Sequence, residues 1–126
     1  MTIYKAFTFD SAHRLTRVPE DHKCSSLHGH TYTLVVFISG PADERGFCGG
    51  ADYCEIGSAV KRVLGHIDHK YLNDVDPRCL SNPTTERLAE WLWPRLKAEL
   101  PSLSKIILKE SASTGCVYHG SDAELI

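Results

Sequence analysis

The nine residues from Thr31 to Ser39, TYTLVVFIS, constrain the fold of this chain more than any other segment. They are rich in β-branched and aromatic side chains, which favour a strand. The segment Ile3–Ala12 predicts a second strand, because Phe7 and Phe9 alternate there with polar residues. Two strands of this length, joined by a polar loop, predict a chain that is built around a sheet.

Two helices are expected after these strands. The first is predicted by apolar residues at helical spacing, namely Ile56, Val60, Val63 and Leu64. Asp52 is placed to cap its N-terminus, and Gly65 is placed to end it. The second helix opens within Pro83–Glu86 and carries a stripe of Leu88, Leu92 and Leu96. Pro94 falls within that stripe and is expected to kink the helix or to end it early.

Two short strands are expected near the end of the chain, Lys105–Lys109 and Cys116–His119. The order β-β-α-α-β-β predicts an α+β fold, in which a four-stranded antiparallel sheet carries two helices on one face. The other face then needs a cover, and a partner subunit is the simplest one. With 126 residues, the chain is expected to form a single domain over residues 1–126, with little room for a deep cleft.

The charge and cysteine patterns argue against several classes of protein. The chain has 14 basic and 16 acidic residues and no basic stripe, so nucleic-acid binding is not expected. The longest apolar run, Leu34–Ile38, is too short to span a membrane, and the N-terminal residues show no signal-peptide core. Five cysteines without a C-x-x-C pair predict free thiols, so we expect a soluble cytoplasmic protein.

Three histidines have the spacing of a metal site. Residues two apart in an extended segment point to one face, so His28 and His30 are expected to converge. His13 ends the first predicted strand, and antiparallel pairing with the second strand would bring it beside them. Gly29 is expected to remove bulk that would crowd the metal. Three imidazoles with a free fourth position suit Zn²⁺.

Cys24, four residues before His28, admits two interpretations. In one it completes a closed site of one cysteine and three histidines, and the metal is structural. In the other it stands near the metal without binding it, and the positive field favours a thiolate that acts as a general base. Asp68 and His69 form a candidate pair for proton transfer, and Glu110 is a candidate acceptor for N–H groups of a flat heterocycle.

Five motifs occur along the chain in a characteristic order: FDSAHRL (Phe9–Leu15), CSSLHGH (Cys24–His30), IDHKYLND (Ile67–Asp74), NPTTE (Asn82–Glu86) and KES (Lys109–Ser111). Together they resemble the 6-pyruvoyltetrahydropterin synthase family over nearly the full chain. The three residues between the cysteine and H-G-H resemble bacterial members that make 6-carboxy-5,6,7,8-tetrahydropterin in queuosine biosynthesis. Animal pyruvoyl enzymes have a longer gap of five residues there.

The resemblance implies a reaction, a cofactor and part of the active site. His13, His28 and His30 match the zinc ligands of the family, and Cys24 matches its catalytic base. The implied substrate is 7,8-dihydroneopterin triphosphate. The implied products are 6-carboxy-5,6,7,8-tetrahydropterin, acetaldehyde and triphosphate, which makes the expected enzyme a zinc-dependent carbon–carbon lyase.

The same resemblance implies how the remaining site residues and the subunits are arranged. Asp68 and His69 match the proton-relay pair, Glu110 matches the pterin anchor, and Thr84 and Thr85 lie where the family lines its pterin pocket. The implied architecture is the tunnelling fold, which assembles as a homohexamer of two stacked trimers. Because these residues come from distant segments, we expect the pocket to lie between subunits.

Two departures and two alternatives accompany this interpretation. The glycine-rich stretch Gly46–Gly50 and Pro94 depart from the family pattern, and both bear on packing and subunit contacts. The alternative functions are a 6-pyruvoyl synthase, which keeps the substrate side chain, and a non-catalytic zinc-binding protein. Arg14, Arg17 and Lys23 are candidates for stabilising the triphosphate that leaves.

Overall fold

The computed structural model describes residues 1–121 of the chain. In chain order, the elements are β1 (Thr2–His13), a 3₁₀ turn (Lys23–Ser25), β2 (His28–Ser39), α1 (Tyr53–Leu64), β3 (Lys70–Tyr71), α2 (Leu72–Val75), α3 (Thr85–Glu99), β4 (Leu103–Lys109) and β5 (Gly115–Tyr118). The expected α+β class is confirmed by this order of strands and helices.

One five-stranded sheet of order β3-β1-β2-β4-β5 forms the centre of the described region. β1 and β2 pair antiparallel without a break, from Thr2 opposite Ser39 to His13 opposite His28. β2–β4 and β4–β5 are also antiparallel, whereas β3 runs parallel to β1. The four expected strands are antiparallel to one another, but the expectation of a four-stranded sheet is wrong, because β3 adds a fifth, parallel strand.

The additional strand, β3, has a physical reason that no sequence pattern reveals. Two residues are too few to show the alternation by which a strand is recognised. β3 is held at the sheet by contacts of its neighbours, because Ser11 donates its hydroxyl to the Ile67 carbonyl at 2.5 Å and His69 donates its N–H to the Asp10 carbonyl at 2.6 Å. The segment between Gly65 and Pro83, for which no helix or strand was predicted, thus contains β3 and the single turn α2.

α1 begins where its cap was predicted, since the Asp52 carboxylate accepts a hydrogen bond from the Glu55 N–H at 2.7 Å. α3 begins after Thr84, whose hydroxyl accepts from the Arg87 N–H at 3.2 Å. Pro94 does not end α3, which continues to Glu99 and so contradicts the expected early end. Pro94 and Glu90, the residue whose carbonyl loses its helical N–H donor, are both exposed. The fully buried leucine stripe holds the helix on the sheet.

The core lies between one face of the sheet and the helices α1 and α3. Its largest sheet side chains alternate along β2, and the helices contribute residues of the two predicted stripes: Tyr32, Leu34, Val36, Ile38, Ile56, Val60, Leu88, Leu92 and Leu96. On the other face, Tyr4 and Val117 are 65% and 51% exposed. No described element covers that face, so the expected two-layer arrangement leaves one side of the sheet open. Within residues 1–121, no helix combines the length and the apolar character that crossing a bilayer would require.

Candidate metal centre and active site

The three histidines of the predicted metal site converge at one end of the β1–β2 pair. His13 lies directly opposite His28 in the register, and His30 follows two residues later on the same face of β2. His13 is 1% exposed, while His28 and His30 are partly buried. The period of two in a strand therefore places all three rings on the helix-covered side of the sheet.

The rings approach one another closely enough to share one ion. The Nε2 atoms of His13 and His28 are 3.0 Å apart, and the three ligand atoms all lie within 4.8 Å of one another. Ring centroids are separated by 4.6 to 5.0 Å, and His30 stands nearly perpendicular to both neighbours. Three imidazoles in this arrangement form a group that could hold a metal ion.

Backbone carbonyl groups orient two of the rings. The Nδ1 atom of His13 lies 2.7 Å from the Pro83 oxygen, and Nδ1 of His28 lies 2.7 Å from the Ser26 oxygen. A carbonyl only accepts, so each Nδ1 carries the proton and donates, and each Nε2 of a neutral ring keeps its lone pair. Two facing lone pairs at 3.0 Å repel unless a cation lies between them, and such carbonyl contacts are typical of metal-ligating histidines.

A third observation fits a metal at the same place. Nε2 of His30 is buried and has no hydrogen-bond partner among the described residues. It lies 3.2 Å from Oε1 of Glu110, but the contact is an ion-pair distance without hydrogen-bond geometry. Burial lowers the pKa of His13 below 6.5, opposed by its bond to Pro83 and aided by the charge of His28. His13 is therefore in the neutral form that binds metals.

Glu110 adjoins the histidine group within the same chain. Its Oε2 atom accepts a hydrogen bond of 2.6 Å from the hydroxyl of Thr85, which is buried at the first turn of α3. Burial, and secondly the charge of Glu110, raise the pKa of the Tyr32 hydroxyl well above its usual value. Glu110 adjoins the histidines although it comes from a distant segment, because α3 and the end of β4 pack against the same end of the sheet.

The two predicted pocket threonines have different surroundings. The Thr85 hydroxyl contacts Glu110, whereas the Thr84 hydroxyl accepts from the Arg87 N–H and caps α3. The geometry therefore brings Thr85 into the group around Glu110 and leaves Thr84 with a capping contact.

Asp68 and His69 lie on the opposite face of the sheet from the histidine group. Nδ1 of His69 is 2.9 Å from Oδ1 of Asp68, and this pair gathers with the carboxylate of Asp10. Asp10 and His13 are three residues apart on one strand, so their side chains point to opposite faces. Among the described residues, Asp68 and His69 therefore do not belong to the same group of converging side chains as the predicted metal ligands.

The surroundings of this pair correct one expectation. A Cβ atom at Gly29 would meet the Ser11 carbonyl oxygen at 3.6 Å, an ordinary contact on the face away from the imidazoles. Gly29 instead lines an open cavity of about 520 Å³ together with His30, His69 and Tyr71. The expected role of Gly29, to leave room for the metal, is therefore wrong.

His69 has a φ of 59°, a left-handed conformation that is uncommon for a residue with a side chain.

Cys24 lies in the 3₁₀ turn just beyond the paired ends of β1 and β2. Its carbonyl accepts from the Leu15 N–H at 2.9 Å, and its own N–H donates to Nδ1 of His22 at 3.0 Å. The backbone thus holds Cys24 next to the strand ends that carry His13 and His28. Its sulfur does not belong to the group of ligand atoms that converge within 4.8 Å among the described residues.

Sequence reasoning missed the residues that position the end of β1. The side chain of Asn73 accepts from the Arg14 N–H and donates to the Arg14 carbonyl, both at 2.9 Å. Asn82 accepts from the Thr16 N–H at 2.8 Å, next to the Pro83 carbonyl that orients His13. Both asparagines lie within motifs quoted above, and this position was the only indication of their role in the sequence. Their partners are about 60 residues away along the chain, so no local pattern could identify them.

The fold and this group of residues define a small α+β protein with a three-histidine candidate metal centre. Residues 2–121 match the family described as 6-pyruvoyl tetrahydropterin synthase. The chain belongs to that family.

Relatives of known name and structure agree with this assignment. The chain is 31% identical to the 6-carboxy-5,6,7,8-tetrahydropterin synthase of Synechocystis, over 92% of this chain and 91% of the relative. It is 33% identical to the dihydroneopterin monophosphate aldolase of Pyrococcus furiosus, over 82% and 81% of the two chains. Its fold is similar to that of the Caenorhabditis elegans 6-pyruvoyl tetrahydropterin synthase, with a TM-score of 0.85 at 24% identity over 96% of each chain.

Proposed function

We propose that this chain is a zinc-dependent carbon–carbon lyase of the queuosine pathway. It converts 7,8-dihydroneopterin triphosphate to 6-carboxy-5,6,7,8-tetrahydropterin and releases acetaldehyde and triphosphate. The observation that carries the proposal is the three-histidine group, with its unpartnered Nε2 of His30, directly beside a carboxylate held by Thr85. The similarity to the Synechocystis enzyme supports the choice of reaction.

His13, His28 and His30 are the proposed zinc ligands. Bound there, Zn²⁺ supplies Lewis-acid polarisation of substrate hydroxyl groups. The carbonyls of Pro83 and Ser26 keep the proton of two rings on Nδ1, so Nε2 stays available to the metal without a change of tautomer.

Glu110 is the proposed anchor of the pterin ring. A carboxylate accepts two parallel N–H bonds from a flat heterocycle, which gives both orientation and affinity. Thr85 donates to one carboxylate oxygen and thereby fixes the plane of the group next to the metal ligands. Thr84 is retained as a pocket residue in this proposal, and its capping contact places it at the same helix terminus.

Cys24 is the proposed base, because its backbone is held beside the strand ends that carry His13 and His28. His69 handles proton transfer on the other side of the substrate, and Asp68 stabilises its protonated form at 2.9 Å. Since His69 lies on the far face of its own sheet, we propose that it serves the metal centre of a neighbouring subunit.

This arrangement requires assembly, and we propose the homohexamer of two stacked trimers. The open face of the sheet, with Tyr4 and Val117 largely exposed, is a surface that partner subunits can cover.

All five cysteines are free, which suits a protein that works in the reducing cytoplasm.

The decisive experiment incubates the purified protein with 7,8-dihydroneopterin triphosphate and measures acetaldehyde together with the mass of the pterin product. The proposed lyase yields acetaldehyde and a 6-carboxy pterin. A 6-pyruvoyl synthase loses triphosphate but keeps the three-carbon side chain, so pterin product without acetaldehyde would overturn the proposal.

A second candidate, favoured by the relative from Pyrococcus furiosus, is an aldolase that acts on a dihydroneopterin phosphate. It would leave no 6-carboxy group on the pterin, so the same mass measurement distinguishes it. A non-catalytic zinc protein with Cys24 as fourth ligand would give no turnover, and X-ray absorption at the zinc edge would show sulfur bound to the metal.

A further inference from the structure

A second cavity, separate from the histidine group, is lined by four of the seven arginines in the chain. Its volume is about 530 Å³. We call it the arginine cavity and define it by Arg17, Arg78, Arg87 and Arg95. The residues come from the loop after β1, the loop after α2 and the outer side of α3, so three segments build one basic surface.

Two of these arginines contact neighbouring groups, and Arg95 is held by more of them than Arg87. The Arg95 guanidinium lies 3.9 Å from the centre of the Trp91 ring, and its Nη1 donates to the Trp91 carbonyl at 2.8 Å. Its Nη2 lies 3.8 Å from Asp76, and Arg87 lies 3.5 Å from Glu90. Ordered guanidinium groups lose less entropy when they bind a ligand.

The other two arginines are not neutralised by the protein. No carboxylate of residues 1–121 lies within ion-pair distance of Arg17 or Arg78. Glu90 is the only acidic residue among those that line the cavity. If Glu90 neutralises Arg87 and Asp76 neutralises Arg95, the positive charges of Arg17 and Arg78 remain. The formal net charge of the whole chain is -2, so this excess is local. Such a local excess favours an anion.

The shape of the cavity favours an extended anion over a single phosphate. Arg87 and Arg95 are eight residues apart on α3, which places them about 12 Å apart along the helix axis. Both lie on one side of the helix, with Trp91 between them. Planar guanidinium forks match phosphate oxygens in pairs, so several arginines in a row suit a chain of linked phosphates.

We propose that the arginine cavity binds an oligophosphate chain. The ligand is either the triphosphate of the substrate or an independent polyphosphate effector, and the chemistry that recognises it is the same. The first source rests on the proposed function, whereas binding of inorganic tripolyphosphate does not require any reaction at the histidine group.

The test is calorimetric titration of the metal-loaded protein with inorganic tripolyphosphate at two salt concentrations. The wild-type protein binds, and its affinity falls as the salt concentration rises. The double variant Arg78→Gln, Arg87→Gln weakens binding by about tenfold or more, because two charge-assisted contacts are lost. Arg45→Gln, which removes an exposed arginine outside the cavity, changes affinity less than about twofold.

Circular dichroism and the melting temperature establish that each variant is folded before it is titrated. Absence of tripolyphosphate binding by the folded wild type, or equal affinity in the wild type and the double variant, would overturn the proposal.

Steady-state kinetics of the same variants separate the two sources of the oligophosphate. If the cavity holds the substrate, tripolyphosphate competes with it, and the double variant raises KM with little change in kcat. If the ligand is an independent effector, tripolyphosphate binds at an unchanged affinity in the presence of saturating substrate. Both outcomes support an oligophosphate site, and neither depends on which pterin product is formed.

Discussion

His13 is the most deeply buried member of the histidine group, and both of its ring nitrogens have close neighbours. Nδ1 faces the Pro83 carbonyl at 2.7 Å, and Nε2 faces His28 at 3.0 Å. Protonating this ring would place a charge in a desolvated position beside two other imidazoles. At the scale of single residues, the site is therefore built to hold neutral rings.

This burial predicts how the stability of the metal-free protein depends on pH. The pKa of His13 is lowered below 6.5 in the folded chain, so the unfolded chain binds the proton more readily. The contribution of His13 to the free energy of unfolding is therefore fully present above about pH 6.5 and falls as the pH drops below it. Melting temperatures between about pH 7.5 and 5.5 should fall more steeply for the wild type than for His13→Gln. Equal slopes would contradict this assignment.

His28→Ala tests the metal centre directly. Removing one of three nitrogens leaves an incomplete ligand set, so we expect stoichiometric zinc to be lost from the purified protein. Elemental analysis measures the loss. His66→Ala is the matched control, because His66 is exposed and does not belong to the group, and it should retain zinc. Full zinc retention in His28→Ala would refute the ligand assignment.

At the scale of elements, the first turn of α3 carries two neighbouring threonines with different contacts. Thr84 caps the helix, whereas Thr85 reaches Glu110 across to the end of β4. The N-terminus of α3 is thereby joined to the candidate pterin anchor, and the helix determines where the carboxylate points.

These contacts predict that substitution of Thr84 mainly affects stability and that substitution of Thr85 mainly affects substrate binding. Thr84→Ala removes a helix cap and should lower the free energy of unfolding by about 1 kcal/mol, with a smaller change in KM than Thr85→Val produces. Thr85→Val keeps the shape of the side chain but removes the donor to Glu110, so KM for the pterin substrate should rise severalfold. Denaturant titration and steady-state kinetics measure the two effects. A larger rise in KM for Thr84→Ala than for Thr85→Val would contradict the assignment.

At the scale of the whole molecule, the sheet separates two groups that the proposed reaction needs together. The histidines lie on the helix-covered face, and Asp68 and His69 lie on the open face with Asp10. Within one subunit, His69 does not join the group of converging histidine atoms. Assembly of several copies is the physical way to complete such a site.

Subunit mixing tests this arrangement. Cys24→Ala should keep zinc and lose turnover, and His69→Ala should do the same. If each site takes Cys24 from one subunit and His69 from another, random mixed oligomers regain about a quarter of the wild-type activity. Co-expression with two affinity tags yields the mixed oligomers for assay. An inactive mixed oligomer, or an active Cys24→Ala homo-oligomer, would contradict the proposed roles.

The local sequence pattern was enough to predict the two strands that carry the histidines. The alternation in Ile3–Ala12 and the β-branched run Thr31–Ser39 lie within β1 and β2, and the leucine stripe gave α3. It failed for β3, which is too short to show a period. It also failed at Pro94, where the buried stripe outweighs the local preference of a single proline.

The sequence by itself determined that His28 and His30 share a face, because the period of two in a strand is a local property of the backbone. Only the tertiary structure decided which distant groups meet that face. Pro83 and Glu110 reach the histidines from 70 and 80 residues away along the chain, through the packing of α3 and β4. It also decided that Asp68 and His69 lie on the opposite face, because the loop before β3 joins the sheet at Asp10 and Ser11. Such long-range contacts depend on how elements pack, and no local period encodes them.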